Sequence, residues 1–171
     1  MTGVWTWEDL PDDGSRYEIV DGSLVVSPPP PRWHEFVVEQ VKIALRATAA
    51  AGWRVLSPGV HMDATYRIPD VLVLRADVDR RAGTAEPPDV LLAVEVVSAG
   101  SVTTDRVTKP AEYAQAGIPH FWRVDALRGP LLEAFDLQAG AYGSVGTWSQ
   151  GEDVVLDRPF PIAFPAAFLL E

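Results

Sequence analysis

The chain has 171 residues, 47% of them hydrophobic, enough to bury the core of one domain of ordinary size. It has no cysteine, which excludes a disulfide framework, a thiolate nucleophile and a cysteine metal site. A net charge of −10 and a pI near 4.7 argue against a nonspecific nucleic-acid coat, because phosphate binding rests on Lys and Arg, but they suit a cation site.

In chain order, "YEIVDGSLVVS" (17–27) places two apolar stretches around Asp21-Gly22, the dipeptide that supplies the positive φ angles of a tight hairpin. Pro28–Pro31 then break the pattern. "RWHEFVVEQVKIALRATAAAG" (32–52) has helical period, with Trp33, Val37, Val41, Ala44 and Thr48 on one stripe and Glu35, Glu39, Lys42 and Arg46 opposite. His34 lies at the edge of the stripe, and Gly52 is a natural stop.

Residues 53–74 read as short strands ending in the apolar "DVLVL"; 75–88 is a polar loop, and "DVLLAVEVVS" (89–98) is a second buried strand. A loop leads to a helix over 110–117, with Pro110 in its first turn and Gly117 at its end. "HFWRVD" (120–125) is a third strand, expected parallel to 89–98 through the helical crossover. "PLLEAFDL" (130–137) and "AYGSVGTWS" (141–149) suggest an antiparallel pair, and a Phe-rich tail packs back.

The pattern predicts an α/β domain with a mixed central sheet over 1–171: a core at about 15–125, then C-terminal strands and tail at 126–171. No apolar run reaches membrane-span length and no leader opens the chain, so a cytoplasmic setting with no membrane partner is expected. Trp5, Trp7 and the tail aromatics make a homodimer a further expectation.

Two acids interrupt apolar strands. Asp70 opens "DVLVL" after Pro69, and Glu95 sits inside "LLAVEVVS", sharing a strand face with Leu91, Ala93 and Val97. An ionised carboxylate there costs several kcal/mol unless it is paired, hydrogen-bonded or bound to metal. If the two strands are neighbours, Asp70 and Glu95 converge, and two carboxylates plus a main-chain carbonyl suit Mg²⁺. The alternatives are a strand cap for Asp70 and a buried Arg partner for Glu95. Lys109 reads either as a solvated lysine or as a cation aimed at the carboxylates from the first helical turn. Glu18 and His34 are additional candidates, each with a structural alternative. The sequence has no phosphate-binding Gly loop and no nucleophilic serine elbow.

The stretches "YEIVDGSLVVSPPPPRWHEFVV", "RIPDVLVL", "LLAVEVVSAGS" and "TDRVTKPAEYAQAGIPHFWRVD" together resemble the Uma-two family of restriction-type endonucleases, within the PD-(D/E)XK nuclease superfamily. The resemblance covers roughly residues 5–125. It implies a restriction-endonuclease-like mixed sheet flanked by helices, with Pro69-Asp70 as the "PD" and Glu95 as the second acid. The superfamily's strand lysine falls at Val97, and the resemblance implies that Lys109 replaces it. It further implies Mg²⁺, with Mn²⁺ as substitute, held by Asp70, Glu95 and the Val96 carbonyl. The implied activity is hydrolysis of nucleic-acid phosphodiesters, with DNA as the expected partner. The competing reading is a nuclease-fold module that binds nucleic acid or protein without cutting. A basic groove from Arg32, Arg106, Lys109 and Arg123 would favour cleavage.

Overall fold

The computed structural model describes residues 4–49, 52–79, 81–100, 103–127 and 132–171. The expected hairpin is β1 (Arg16–Val20) paired antiparallel with β2 (Ser23–Ser27). Asp21 at φ 48° and Gly22 at φ 73° form its turn, the left-handed pair that matches the twist of two-residue hairpins. The prolines then release the chain into α1 (Arg32–Thr48).

The buried face of α1 carries His34, Val37, Val41, Ala44 and Leu45. Trp33, expected on that stripe, is 38% exposed. One residue is about 100° of helical rotation, and the stripe is centred on His34 instead. The helix also stops before Gly52: the Ala49 N–H closes on the Leu45 carbonyl, and residues 50 and 51 lie outside the described residues.

The following strands are β3 (Trp53–Leu56), β4 (Gly59–Met62), β5 (Thr65–Arg67), β6 (Val71–Arg75), β7 (Thr84–Ala85) and β8 (Val90–Val96). Next come α2 (Lys109–Gln115), β9 (His120–Val124), β10 (Leu132–Gln138), β11 (Ala141–Trp148), β12 (Asp153–Leu156) and β13 (Ile162–Pro165). The central sheet has six strands in the order β11-β10-β9-β8-β6-β3. β8 and β9 are parallel, as the crossover predicts, and the other pairs are antiparallel. A five-stranded sheet, β2-β1-β5-β4-β7, carries the hairpin, and β12 pairs with β13. Of the strand expected over 130–137, positions 130 and 131 lie outside the described residues.

β6 and β8 read as uniformly apolar because both faces are covered. Val71, Val73, Val94 and Val96 pack toward α1, where Phe160, Ile162 and Leu169 of the tail join them. Leu72, Ala93, Tyr113 and Phe121 form the cluster on the α2 side. The tail's Phe164 and Phe168 also pack on the α1-side cluster, so these aromatics are spent within the chain. No helix among the described residues is long and apolar enough to cross a membrane.

The helix expected to begin at 110 is longer at its start. Its path opens with π-helical turns over Thr104–Thr108 and passes into α2, ending at Gly117 with φ 81°. Residues 101 and 102, in the loop before it, lie outside the described residues. Pro110 has no N–H to return to the Arg106 carbonyl, four residues back. That oxygen instead accepts from Arg123 Nη1 at 3.3 Å. Register pairs Arg123 of β9 with Glu95 of β8, so this bond ties the helix start to the strand beside the acid.

Candidate active site

The antiparallel register of β6 and β8 pairs Val71 with Val94, which brings Asp70, one residue ahead, alongside Glu95 and Val96. Asp70 is 7% exposed. Its Oδ2 accepts from the Val96 N–H at 2.8 Å and lies 3.3 Å from His34 Nε2; its Oδ1 lies 3.3 Å from Arg16 Nη2. Burial pushes its carboxyl upward, but the hydrogen bond and charge of His34, with Lys109 and Arg16, outweigh this and hold it below the usual aspartate value.

Glu95 is 1% exposed. Tyr113 donates to Oε1 at 2.6 Å and Lys109 Nζ to Oε2 at 2.8 Å. Burial pushes the carboxyl up to about 8; the Lys109 charge pulls against it, and Asp70 and Asp105 add to the rise. Lys109 also lies 3.2 Å from Asp105 and 4.0 Å from Glu18. Burial disfavours its charge, but Glu95, Glu18, Asp105 and Asp70 more than compensate, so it is held as an ammonium. Lys109 is therefore not a surface lysine.

Glu18 comes from β1. Its Oε1 accepts from the Ile68 N–H at 3.0 Å, and its Oε2 from Arg67 Nη1 at 3.2 Å. Arg67 also grips Glu112 of α2 with two bonds of 2.8 Å. Glu18 thus stands at the edge of the Lys109 cluster while fixing the segment before Asp70.

His34 Nε2 lies 2.9 Å from the Val96 carbonyl oxygen as well as beside Asp70. Burial favours its neutral ring, but Asp70 and the Val96 carbonyl raise its pKa above the ordinary value. A raised histidine pKa gives stability that is complete below pH 6.5 and lost as pH rises through the folded-state value. The stability difference between wild type and His34→Gln is therefore expected to be larger at pH 5.5 than at pH 8.5, by urea unfolding. An equal difference at both would remove the ionic role of the pair.

All five candidates come together around one cavity of about 280 Å³, rimmed by Pro28–Pro31 and Ser98–Gly100. Three participants had not been singled out from sequence. Asp105 and Tyr113 lie four residues either side of Lys109, a same-face helical spacing; Tyr113 falls within the expected helix, whereas Asp105 needs the earlier start. Arg16 had no local signal: it arrives from β1 and donates to the Ile68 carbonyl and toward Asp70. The basic groove that would favour cleavage does not form from Arg106 and Arg123. Arg106 pairs with buried Asp125, and Arg123 with Glu133 at 2.6 Å.

The donor set is two carboxylates and one carbonyl, all oxygen, which fits a hard cation that keeps several waters. Among the described residues no group of three His, Cys, Asp or Glu side chains completes a metal cage. The oxygens of Asp70 and Glu95 already face positive groups, Lys109 on one and Arg16 and His34 on the other, so the site is organised around cationic charge.

A mixed sheet with a flanking helix on either face and two acids at adjacent strands defines a restriction-endonuclease-like α/β fold. The chain belongs to the Uma2 family, described as "Putative restriction endonuclease", whose pattern it matches over residues 6–168. It is similar in structure to a protein from Anabaena variabilis described as "a putative nuclease belonging to DUF820". The TM-score is 0.76 at 13% identity, covering 96% of this chain and 94% of that one, which is a likeness of fold. A comparison with curated proteins gave no match.

Proposed function

We propose that the chain is a metal-dependent endonuclease that hydrolyses phosphodiester bonds of nucleic acid, DNA in the first instance. The observation that carries this reading is Lys109, delivered from a helix to 2.8 Å from Glu95, which adjoins Asp70 through the strand register. Asp70, Glu95 and the Val96 carbonyl would hold Mg²⁺ or Mn²⁺. When bound, the ion supplies Lewis-acid polarisation of the phosphate and acidifies a water.

The chain's own groups do the rest. Asp70, held ionised by His34 and Arg16, presents a permanent negative charge. Tyr113, whose hydroxyl is kept neutral by burial and by the Glu95 charge, donates to Glu95 and fixes its rotamer. Lys109 is held protonated, so it serves as a donor and counter-charge to a phosphate oxygen in the transition state rather than as a resting base.

Calorimetric titration with Mn²⁺ tests the reading without a guess at substrate. Wild type is expected to bind, with Asp70→Asn and Glu95→Gln weakened at least about tenfold. Unchanged binding in both variants would sink it. A second reading, binding without cleavage, has one observation in its favour: Arg106 and Arg123 are spent on Asp125 and Glu133. Metal binding with no cleavage of DNA or RNA in Mg²⁺ would select it.

A further inference from the structure

We infer that Arg16 is a further substrate-phosphate contact of this site, exchanging Asp70 for a non-bridging oxygen of a bound phosphodiester. The inference rests on the nuclease reading above and extends it to a residue outside the acid–lysine set.

Access is the first argument. Of the basic side chains at the acids, Lys109 is 8% exposed, Arg67 3% and His34 7%, whereas Arg16 is 29% exposed. Arg16 is the most exposed cation of this group and the one most open to an incoming anion.

Bonding capacity is the second. A guanidinium has five N–H donors in a planar fork. Among the described residues, every hydrogen bond of Arg16 runs through Nη2, to the Ile68 carbonyl and to Asp70. Its Nε and Nη1 donors remain for a ligand. The Asp70 contact is 3.3 Å, long against the 2.7–2.9 Å of a firm charge-assisted bond, while the Ile68 carbonyl anchors the group.

Placement is the third. Arg16 lines the cavity of about 280 Å³ that holds Glu95 and Lys109. It also lines a second, of about 300 Å³, bounded by Lys42 and Ser57. Asp70 and His34 line both, so a phosphate reaching Asp70 from either side meets Arg16. The first cavity presents four carboxylates: Glu18, Asp70, Glu95 and Asp105. Lys109 is already committed to three of them. A phosphodiester adds further negative charge and needs a cation that can turn toward it.

Binding of a fluorescein-labelled single-stranded DNA of mixed sequence, followed by anisotropy in EDTA, tests this apart from cleavage. Asp70→Asn removes the competing carboxylate and is expected to bind more tightly than wild type. Adding Arg16→Gln, which can still donate to the Ile68 carbonyl, should weaken that variant at least about tenfold. It should also lower the salt slope by roughly 0.7, one phosphate contact. The same change in wild type should cost less, since there Asp70 holds the guanidinium. Thermal melts check the fold, and Arg16→Lys serves as the second variant, expected to keep the slope but lose affinity. Equal affinity and slope with and without Arg16, in both backgrounds, overturns the inference while Mg²⁺-dependent cleavage by wild type keeps the nuclease reading. No DNA binding by any variant, together with no cleavage, overturns both.

Discussion

Replacing Lys109 by methionine is expected to cut Mg²⁺-dependent cleavage by a hundredfold or more, roughly the loss seen when one preorganised donor to a developing charge is removed. The fold should survive. Without the ammonium at 2.8 Å, the buried Glu95 carboxyl, already pushed up to about 8, loses the charge that pulls it down, so its neutral form is favoured still more and no unpaired ion is left in the core. Tyr113 and the sheet still hold it. Single-turnover cleavage and a thermal melt on the same preparation separate the two effects. Full activity in a folded variant would remove Lys109 from the mechanism, and a collapsed melt would show that its charge serves stability first. Lys109→Arg is expected to keep the fold and recover little activity, since a planar fork does not fit a slot shaped for one nitrogen.

The largest stability effect is expected at Arg67. Its side chain is 3% exposed and bridges Glu18 on β1 to Glu112 on α2. Arg67→Leu removes one side of a buried ion pair and leaves Glu18, 5% exposed, with the Ile68 N–H and a distant ammonium. Breaking such a pair costs about 3–5 kcal/mol. Adding Glu18→Gln should restore part of that, because the stranded charge is gone. Urea unfolding at pH 7 measures both. The pair of variants also decides what Glu18 is for. If Glu18→Gln alone keeps cleavage while weakening the fold, Glu18 is a strut that fixes Ile68, two residues before Asp70. If it loses cleavage with stability intact, it belongs with the acids.

What the sequence revealed and what it hid divide along the same line. The hairpin followed from Asp21-Gly22, and the acids stood out because β6 and β8 are otherwise apolar on both faces. The convergence of Asp70 and Glu95 needed only that the two strands be neighbours. Lys109 was harder, since a lysine before a proline looks like the solvated start of a helix. Pro110 carried the misleading signal: it fits a first turn, yet here the helical path begins six residues earlier, at Thr104. The π-helical turns ahead of it and the Arg123 bond to the Arg106 carbonyl accommodate the missing N–H. Asp105 was hidden by the same misplacement. Arg16 and Arg67 were hidden for another reason. Their partners lie about fifty positions away along the chain, and only the β1–β5 pairing of Ile19 with Tyr66 brings those segments together. Nothing local in "SRYEIV" announces it.

The delivery of Lys109 from a helix rather than from position 97 has a consequence for how the protein fails. A lysine in the middle of a central strand is lost only when the sheet comes apart. Here the cation rides on α2, a helix of seven residues entered through π-helical turns whose Arg106 carbonyl is held by one arginine. Opening that segment alone would withdraw the ammonium from Glu95, at a free-energy cost below that of global unfolding. Heat inactivation should therefore precede the melt, and the amides of residues 109–115 should exchange with solvent faster than those of β8. The site can be disarmed while the scaffold stays intact.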